Sequence, residues 1–424
     1  MSDEKWIPYG VSVFYIQFLI AAYVCAIIAC RKVVSFMDQK IQKELIALRR
    51  ALHAIPETGD ALPRTKQFVC DYLEDIGISY RCCDNCDGVI AQIRGAEDGK
   101  TVAFRADMDA LNVQEETDVP FRSEIPGKMH GCGHDAHTAI LLMTAKLLFN
   151  LRDRLCGNVR FIFQTGEETG SGAKKMIAAG GVEGVDALFA LHVGNLAGDE
   201  LSAGDIAIVP GYASAGKIKF TIQIQGKGTH SAFPEKGIDP ILVAANILLR
   251  FQETMNVDNM AGVAAVLSVG SVHAGEDHNT IPHTATLKGS VRAQDPNVRA
   301  FLGQKVKQIA KETAARVGAS CDLDIKRGSE SVYNDPELAA FAAKAVASSL
   351  GEKGVLTALA RPLMASDDFA NYGACVPSVY FILHTNNPEK GIVEPNHSPR
   401  FDLDESVLAK GVAAYMAIAM DFLK

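Results

Sequence analysis

No long run of basic residues interrupts this chain of 424 residues, whose 42 Lys and Arg against 50 Asp and Glu leave a formal charge of −8. Without a basic stripe there is no electrostatic footprint for a phosphate backbone, which argues against nucleic acid as a partner. Proline is sparse beside glycine, 16 against 36, so tight backbone approaches are expected rather than Pro-rich linkers. The 10 cysteines are scattered instead of regularly spaced. That is no disulfide framework, and it points to a reducing compartment. Internal repeats and low-complexity stretches are also missing. What is there is ordinary for a globular protein: 48% apolar and 22% charged residues, which excludes a disordered or collagen-like chain. At roughly 150 residues per domain the length suggests about two or three domains.

One segment departs from this pattern. Val11–Cys30 carries no charge, its clearly polar residues being Ser12 and Gln17, and as a helix it is long enough to cross a hydrocarbon layer of roughly 30 Å. Arg31, Lys32, Lys40, Lys43, Arg49 and Arg50 follow it, whereas Lys5 and the terminal amine stand before it. The positive-inside bias then leaves the C-terminal bulk in the cytoplasm. Asp3 and Glu4 beside Lys5 make a poor start for a cleaved signal. Two readings stay open: residues 1–36 are a single-span anchor in contact with the membrane, or Met37 is the working start and the upstream run takes no part.

From Met37 onward, short apolar runs alternate with helix-period stretches, which argues for a parallel-rich sheet flanked by helices, an α/β fold. Thr101–Ala106, Val159–Gln164, Ala187–His192 and Ser378–Leu383 read as buried strands; Ala136–Asn150 and Glu405–Lys424 read as helices. The middle third is different. Lys217–Gln225 alternates cleanly, with Ile218, Phe220, Ile222 and Ile224 on one face, and Ala285–Arg292 alternates less strictly. This is the signature of an antiparallel sheet with one solvated face. Asp239–Met255 and Asn297–Val317 supply amphipathic helices. Residues 213–327 therefore read as a small α+β domain inserted into a larger one made of residues 37–212 and 328–424.

The window Met129–Thr138, M-H-G-C-G-H-D-A-H-T, holds His130, Cys132, His134, Asp135 and His137. Thiolate and imidazole together suit Zn²⁺ and its first-row neighbours, and the flanking glycines permit the sharp turn that lets a Cys-x-His pair converge. The bland alternative is a polar loop whose Asp135 caps the following helix. Next, Gly166-Glu167-Glu168-Thr169-Gly170 follows an apolar strand. Adjacent carboxylates there point in different directions, so one can bind metal while the other faces substrate as a general base. Position adds to this: Asp107, Glu167 and Glu168, His192, and His384 with His397 all come at or after strand ends, where open α/β sheets bind ligands. No H-E-x-x-H, no G-x-S-x-G, and neither a Walker loop nor a dinucleotide fingerprint is present. Cys82-Cys83-Asp84-Asn85-Cys86 contains a C-x-x-C with no second half-site and reads as a reduced loop.

Further motifs are Leu52-His53-Ala54-Ile55-Pro56-Glu57, Arg105-Ala106-Asp107-Met108-Asp109, Gly228-Thr229-His230-Ser231, Asn279-Thr280-Ile281-Pro282 and Asn396-His397-Ser398-Pro399. With these in order from about Leu48 to the C-terminus, the chain resembles the dinuclear metallo-amidohydrolases related to carboxypeptidase G and aminoacylase. Within them it is most similar to the branch of hippurate hydrolase, N-acetyldiaminopimelate deacetylase and the plant auxin-conjugate hydrolases. The resemblance implies a catalytic domain with an inserted lid and dimerisation domain, hydrolysing N-acyl amino acids. It implies two divalent metal ions (Zn, Mn, Co or Ni) held by Cys132, His134, Glu168, His192 and His397. Glu167 would be the general base, Asp107 the carboxylate beside the metals, and Asn279 a substrate contact. His230 would reach the partner subunit's site in a homodimer. Many relatives have His where this chain has Arg105, which leaves the role of Asp107 open. A dipeptidase or carboxypeptidase on the same centre is the alternative, and a non-catalytic metal-binding relative is the reading from another class.

Overall fold

The computed structural model describes residues 39–196, 201–256 and 264–424. The apolar run Val11–Cys30 and Met37 lie outside them. Among the described residues no helix is long and apolar enough to cross a membrane.

The fold is mixed α/β. Strands Tyr80–Cys82, Val89–Arg94, Cys156–Gln164, Glu97–Asp107, Ala187–Gly194, Ser378–His384, Ile206–Ala207 and Val355–Leu356 lie side by side in that order as one 8-stranded sheet. The apolar strands expected from sequence form its centre and run parallel to one another. Their Val, Ile, Leu and Phe content is what a strand covered on both faces needs. The outer strands complete a mixed sheet around this parallel centre: Val89–Arg94 pairs antiparallel with Cys156–Gln164, and Ile206–Ala207 antiparallel with Ser378–His384. Tyr80–Cys82 and Val89–Arg94 are also antiparallel, joined through residues 83–88; so short a connection can join only antiparallel neighbours.

Phe104 on a central strand lies 4.7 Å, ring centroid to centroid, from Tyr415 of the helix Leu408–Phe422 and 5.9 Å from Phe189. The helix His134–Asn150 packs against both the sheet and Leu408–Phe422 and is buried along most of its length. That is why its sequence is apolar nearly all round. Its first turn carries His134 and His137, so the hydrophobic core positions these imidazoles directly.

Residues 216–327 form a second, fully antiparallel sheet in the order Ala265–Ala274, Thr284–Ala293, Gly216–Gln225, Ser320–Arg327. Phe220, Ile222 and Ile224 face a core with Val243, Ile247 and Phe251 of the helix Pro240–Asn256 and Leu302 and Val306 of the helix Pro296–Arg316. Both helices begin on the same local grammar, an Asp followed by Pro: Asp239 accepts from Ile241 N at 2.8 Å and Asp295 from Asn297 N at 2.7 Å. The aspartate satisfies an orphan N–H, and proline at the first position lacks one. The two crossings between the sheets run together, with Lys217 N donating to Ser329 O and Gly328 N to Lys217 O, each at 2.8 Å.

The first described helix, residues 39–53, is tied to the centre by charge. Arg49 is buried, with Nε 2.9 Å from Asp135 Oδ2 and Nη1 3.0 Å from Glu405 Oε1. Burial pushes the Asp135 carboxyl up, but Arg49 and His53 outweigh it and hold the group well below the usual carboxylate range. A group depressed in this way stabilises the fold above its unfolded pKa of about 3.9 and loses that contribution as the pH falls through its folded value. Arg49→Met strands the buried Asp135, and is expected to lower stability by about 3–5 kcal/mol. Urea unfolding at neutral pH checks the loss, and the variant's stability should fall less steeply than wild type below a pH of about 4.

Candidate active site

The four central parallel strands of the large sheet carry polar side chains at or just beyond their carboxyl ends: Asp107, Glu167 and Glu168, His192, and His384. Gly133 makes the turn into the helix His134–Asn150 at φ 86°, and a Cβ there would stand 2.5 Å from Val193 Cγ2. Only glycine fits, and the turn directs Cys132 and His134 to the same side. His134 Nδ1 faces the carbonyl of Asp109 at 2.7 Å, and His192 Nδ1 faces the carbonyl of Val193 at 2.7 Å. A carbonyl only accepts, so Nδ1 of each ring carries a proton and Nε2 is turned inward. His192 Nε2 lies 3.5 Å from Cys132 Sγ. His134 Nε2 is buried with no hydrogen-bond partner.

The two glutamates after the strand Cys156–Gln164 differ in their surroundings. Asp109 accepts from the backbone N–H of Glu167 at 3.0 Å and of Glu168 at 3.1 Å, which pins the loop and leaves the side chains to diverge. Glu168 Oε1 lies 3.3 Å from His397 Nε2 and 4.0 Å from His134 Nε2. Glu167 accepts from Asp368 N at 3.3 Å and stands with the carboxylates of Asp367 and Asp368, while donor atoms of His134 and Glu168 also lie within 4.8 Å of its carboxylate. Burial, then Asp367 and Glu168, push the Glu167 carboxyl well above the usual range; Glu168 is drawn down because His397 and His134 outweigh its burial. Paired acids with pKa values pushed apart are how one site holds an acid–base group beside an ionised one.

Arg105 sits beneath this pair, buried, with Nη1 2.5 Å from Asp107, Nη2 3.2 Å from Asp367 and 3.1 Å from Asp368. The other oxygen of Asp107 meets His137 Nδ1 at 2.5 Å, and His137 Nε2 accepts from Val193 N at 2.8 Å. Both nitrogens of His137 are thereby engaged; it orients Asp107 and has no lone pair to offer an ion. Asp107 Oδ2 lies 3.7 Å from His134 Nε2. Burial works against a charged His134, but Asp107 and Cys132 outweigh it and hold the imidazole above its usual range, while burial pushes the Cys132 thiol up. An ion entering here displaces these protons.

Cys132, His134, Glu168, His192 and His397 thus come together. Donor atoms of Cys132, His134 and His192 lie within 4.8 Å of one another, and so do those of Cys132, Glu168 and His397. His397 is the only non-glycine residue at positive φ among the described residues, at 72°. Its strained backbone is held by His397 N donating to Gly131 O at 2.7 Å and by Asn396, whose amide donates to Cys132 O at 3.1 Å. His230 and Asn279 are not part of this cluster. They sit side by side on the second domain, both exposed, where Ser231 N donates to Asn279 O at 3.0 Å. The alternative reading of Asp135 as a helix cap does not hold: Gly133 occupies that position and Asp135 is turned to Arg49 and His53. Sequence reasoning missed Asp109, Asp367 and Asp368. The D-x-D spacing after the strand was a usable signal for Asp109; nothing local marks the other two.

Thiol, imidazole and carboxylate donors gathered at one end of a mixed sheet define a candidate metal centre. Residues 103–421 match the family described as Peptidase family M20/M25/M40, and the chain belongs to that family. It is 34% identical over 401 residues to Thermostable carboxypeptidase 1 of Saccharolobus solfataricus, covering 91% of this chain and 96% of that relative. N-acetylcysteine deacetylase of Bacillus subtilis is 35% identical over 388 residues, 91% of this chain and 99% of its own. A Bacillus subtilis protein whose crystal structure is described as a dinuclear metal binding peptidase from the M20 family has a TM-score of 0.77 at 34% identity, covering 91% and 99%.

Asn396 joins the loop of His397 to the backbone at Cys132 and Val193. Asn396→Ala frees that loop, and metal affinity should fall about 10–100-fold, the scale for losing a group that orients a ligand. Competition with a chromophoric chelator measures it.

Proposed function

We propose that this chain hydrolyses the amide bond of N-acyl amino acids, releasing a carboxylic acid and an amino acid, with two divalent metal ions held by Cys132, His134, Glu168, His192 and His397. The observation that carries this reading is His134 Nε2, a buried atom left without a hydrogen-bond partner among converging donors. Buried polar atoms are almost always satisfied, so this atom fits a cation. Thiolate, imidazole and carboxylate suit Zn²⁺, Mn²⁺, Co²⁺ or Ni²⁺. Bound there, such ions would polarise the amide carbonyl and acidify water.

The chain's own residues do the rest. Glu167, raised by burial and the neighbouring acids, takes a proton from the attacking water and hands it to the leaving amine. Asp107, locked by Arg105 and His137, keeps a fixed negative charge beside His134. The acyl-amino-acid substrate is supported by the likeness to a deacetylase of N-acetylcysteine. The likeness to a carboxypeptidase favours peptide substrates as the second reading.

The reading extends to a homodimer through residues 213–327. Val266 and Val272 are exposed on the edge strand Ala265–Ala274, and Ile241, Leu242 and Leu249 are exposed on the helix Pro240–Asn256. An unpaired edge with apolar surface invites pairing with a second copy. His230 and Asn279, exposed on this domain, would then serve the partner's site.

A panel of N-acetyl-, benzoyl- and indoleacetyl-amino acids against dipeptides tests the substrate class. Glu167→Gln should lower kcat by about 10²–10⁴-fold with metal content retained, whereas Glu168→Gln should shed metal; the opposite pattern reverses the two assignments. His230→Ala should lower kcat by about 10²-fold or more with metal retained. After subunit exchange, Glu167→Gln mixed with His230→Ala should regain activity, since one site of the heterodimer has both wild-type groups. No recovery despite proven exchange would show that His230 does not act across the dimer.

A further inference from the structure

The hairpin between Tyr80–Cys82 and Val89–Arg94 takes no part in the site just described, yet its loop holds the C-x-x-C. Cys83 N donates to Gly88 O at 2.9 Å and closes the loop. Cys83 is buried and Cys86 partly exposed. A Cβ at Gly88 would stand 2.3 Å from Met176 Sδ and 3.2 Å from Cys86 Sγ, so Cys86 and the Met176 sulfur that Cys83 touches meet across this glycine. Cys83, with Gly88 N–H and Thr165, draws the Cys86 thiol down to about 6 against its burial, while Cys86 and burial push Cys83 up. An accessible thiolate beside a second thiol is the arrangement of a redox-responsive pair.

The cysteine loop is tied to the glutamate loop through Asp60. Thr165, immediately before Gly166-Glu167-Glu168, donates from Oγ1 to Asp60 Oδ1 at 3.4 Å. Cys83 Sγ touches Met176 Sδ at 3.7 Å, on the helix Gly172–Ala178 that follows that loop. Asp87 N donates to Asp60 O at 3.1 Å, and the Asp60 carboxylate accepts from Ser171 Oγ at 3.1 Å and from Lys175 Nζ at 2.6 Å. Contacts from the cysteine loop thus reach both ends of the segment that carries Glu167 and Glu168.

We propose that Cys83 and Cys86 are a peroxide-sensitive dithiol, whose oxidation to a disulfide slows hydrolysis by shifting the loop that carries Glu167 and Glu168. The effect on hydrolysis rests on the function proposed above; the modification itself does not. The Cys86 thiolate attacks a peroxide oxygen, forming an S–O bond as the O–O bond breaks, and the departing hydroxide takes a proton to become water. The Cys83 sulfur then attacks the sulfenic sulfur; the S–S bond forms, the S–O bond breaks, and the Cys83 proton leaves with hydroxide as a second water. The two sulfurs supply the two electrons, and a thiol reductant restores them. A disulfide of about 2.05 Å draws Cys83 Sγ toward Cys86 and away from Met176.

Metal-loaded, reduced protein is treated with hydrogen peroxide, alkylated and mapped by mass spectrometry while hydrolysis is followed. The expected result is a loss of two hydrogens located between Cys83 and Cys86, a rate that falls in step with it, and recovery of both on adding dithiothreitol. Cys86→Ser should hydrolyse substrate like wild type before treatment and lose the reversible inhibition; Cys83→Ala gives the same outcome if that variant does not fold. A link between Cys70 and Cys82 instead, whose sulfurs lie 3.8 Å apart, overturns the proposal. So does a Cys83–Cys86 link with an unchanged rate, or equal inhibition of Cys86→Ser. If the reduced protein cleaves no N-acyl amino acid but the Cys83–Cys86 link forms, the proposed function fails and the dithiol assignment is supported.

Discussion

A guanidinium without access to water needs its charge returned by neighbours, and Arg105 gets it from Asp107, Asp367 and Asp368 together. Removing either side of such a group leaves an uncompensated charge in the interior, a penalty of several kcal/mol. The constraint therefore ties the strand Glu97–Asp107 to the segment Asp368–Ala374, which enters the fold only after the second domain has been completed. It adds a buried ionic tie to the pairing of Ser378–His384 with Ala187–Gly194, which joins the same two stretches of chain. Asp107 is held rigid as a consequence, and so is the face of the site that it shares with His134.

The same clamp separates the two glutamates. Asp367 and Asp368 crowd Glu167 with negative charge in a buried setting, and burial with Asp367 pushes its carboxyl up. Glu168, one residue on, looks toward His397 and His134 and stays ionised. Adjacent residues of the same type are thereby given opposite tasks by environment alone. Asp109 makes this division firm by gripping both backbone N–H groups. The backbone strain at His397 belongs to the same economy of position: a non-glycine residue at φ 72° persists only where surrounding contacts over-determine it.

Much of this was legible in the sequence, because periodicity and local chemistry are written locally. The central strands announced themselves by apolar runs, and Lys217–Gln225 by alternation. Cys132, His134, Glu167 and Glu168 stood out because each pair lies in one short window beside glycines. The mixed character of the large sheet did not show, since strand direction depends on which segments meet. Val89–Arg94 looks no different from a parallel strand until its short hairpin is seen. Asp367 and Asp368 were illegible for a related reason. They serve Arg105 from 262 and 263 residues away, and an acidic pair in isolation reads as a solvated turn. Asp135 shows the opposite case: it has the local signature of a cap, and a tertiary ion pair with Arg49 takes precedence.

Anomalous diffraction at the zinc edge, on crystals of the Zn²⁺-loaded protein, tests whether these donors hold two ions in one centre. Two peaks per chain about 3.5–4 Å apart, in contact with Cys132, His134, Glu168, His192 and His397, are expected. A single peak, or two that leave His134 Nε2 without a partner, would contradict the dinuclear centre.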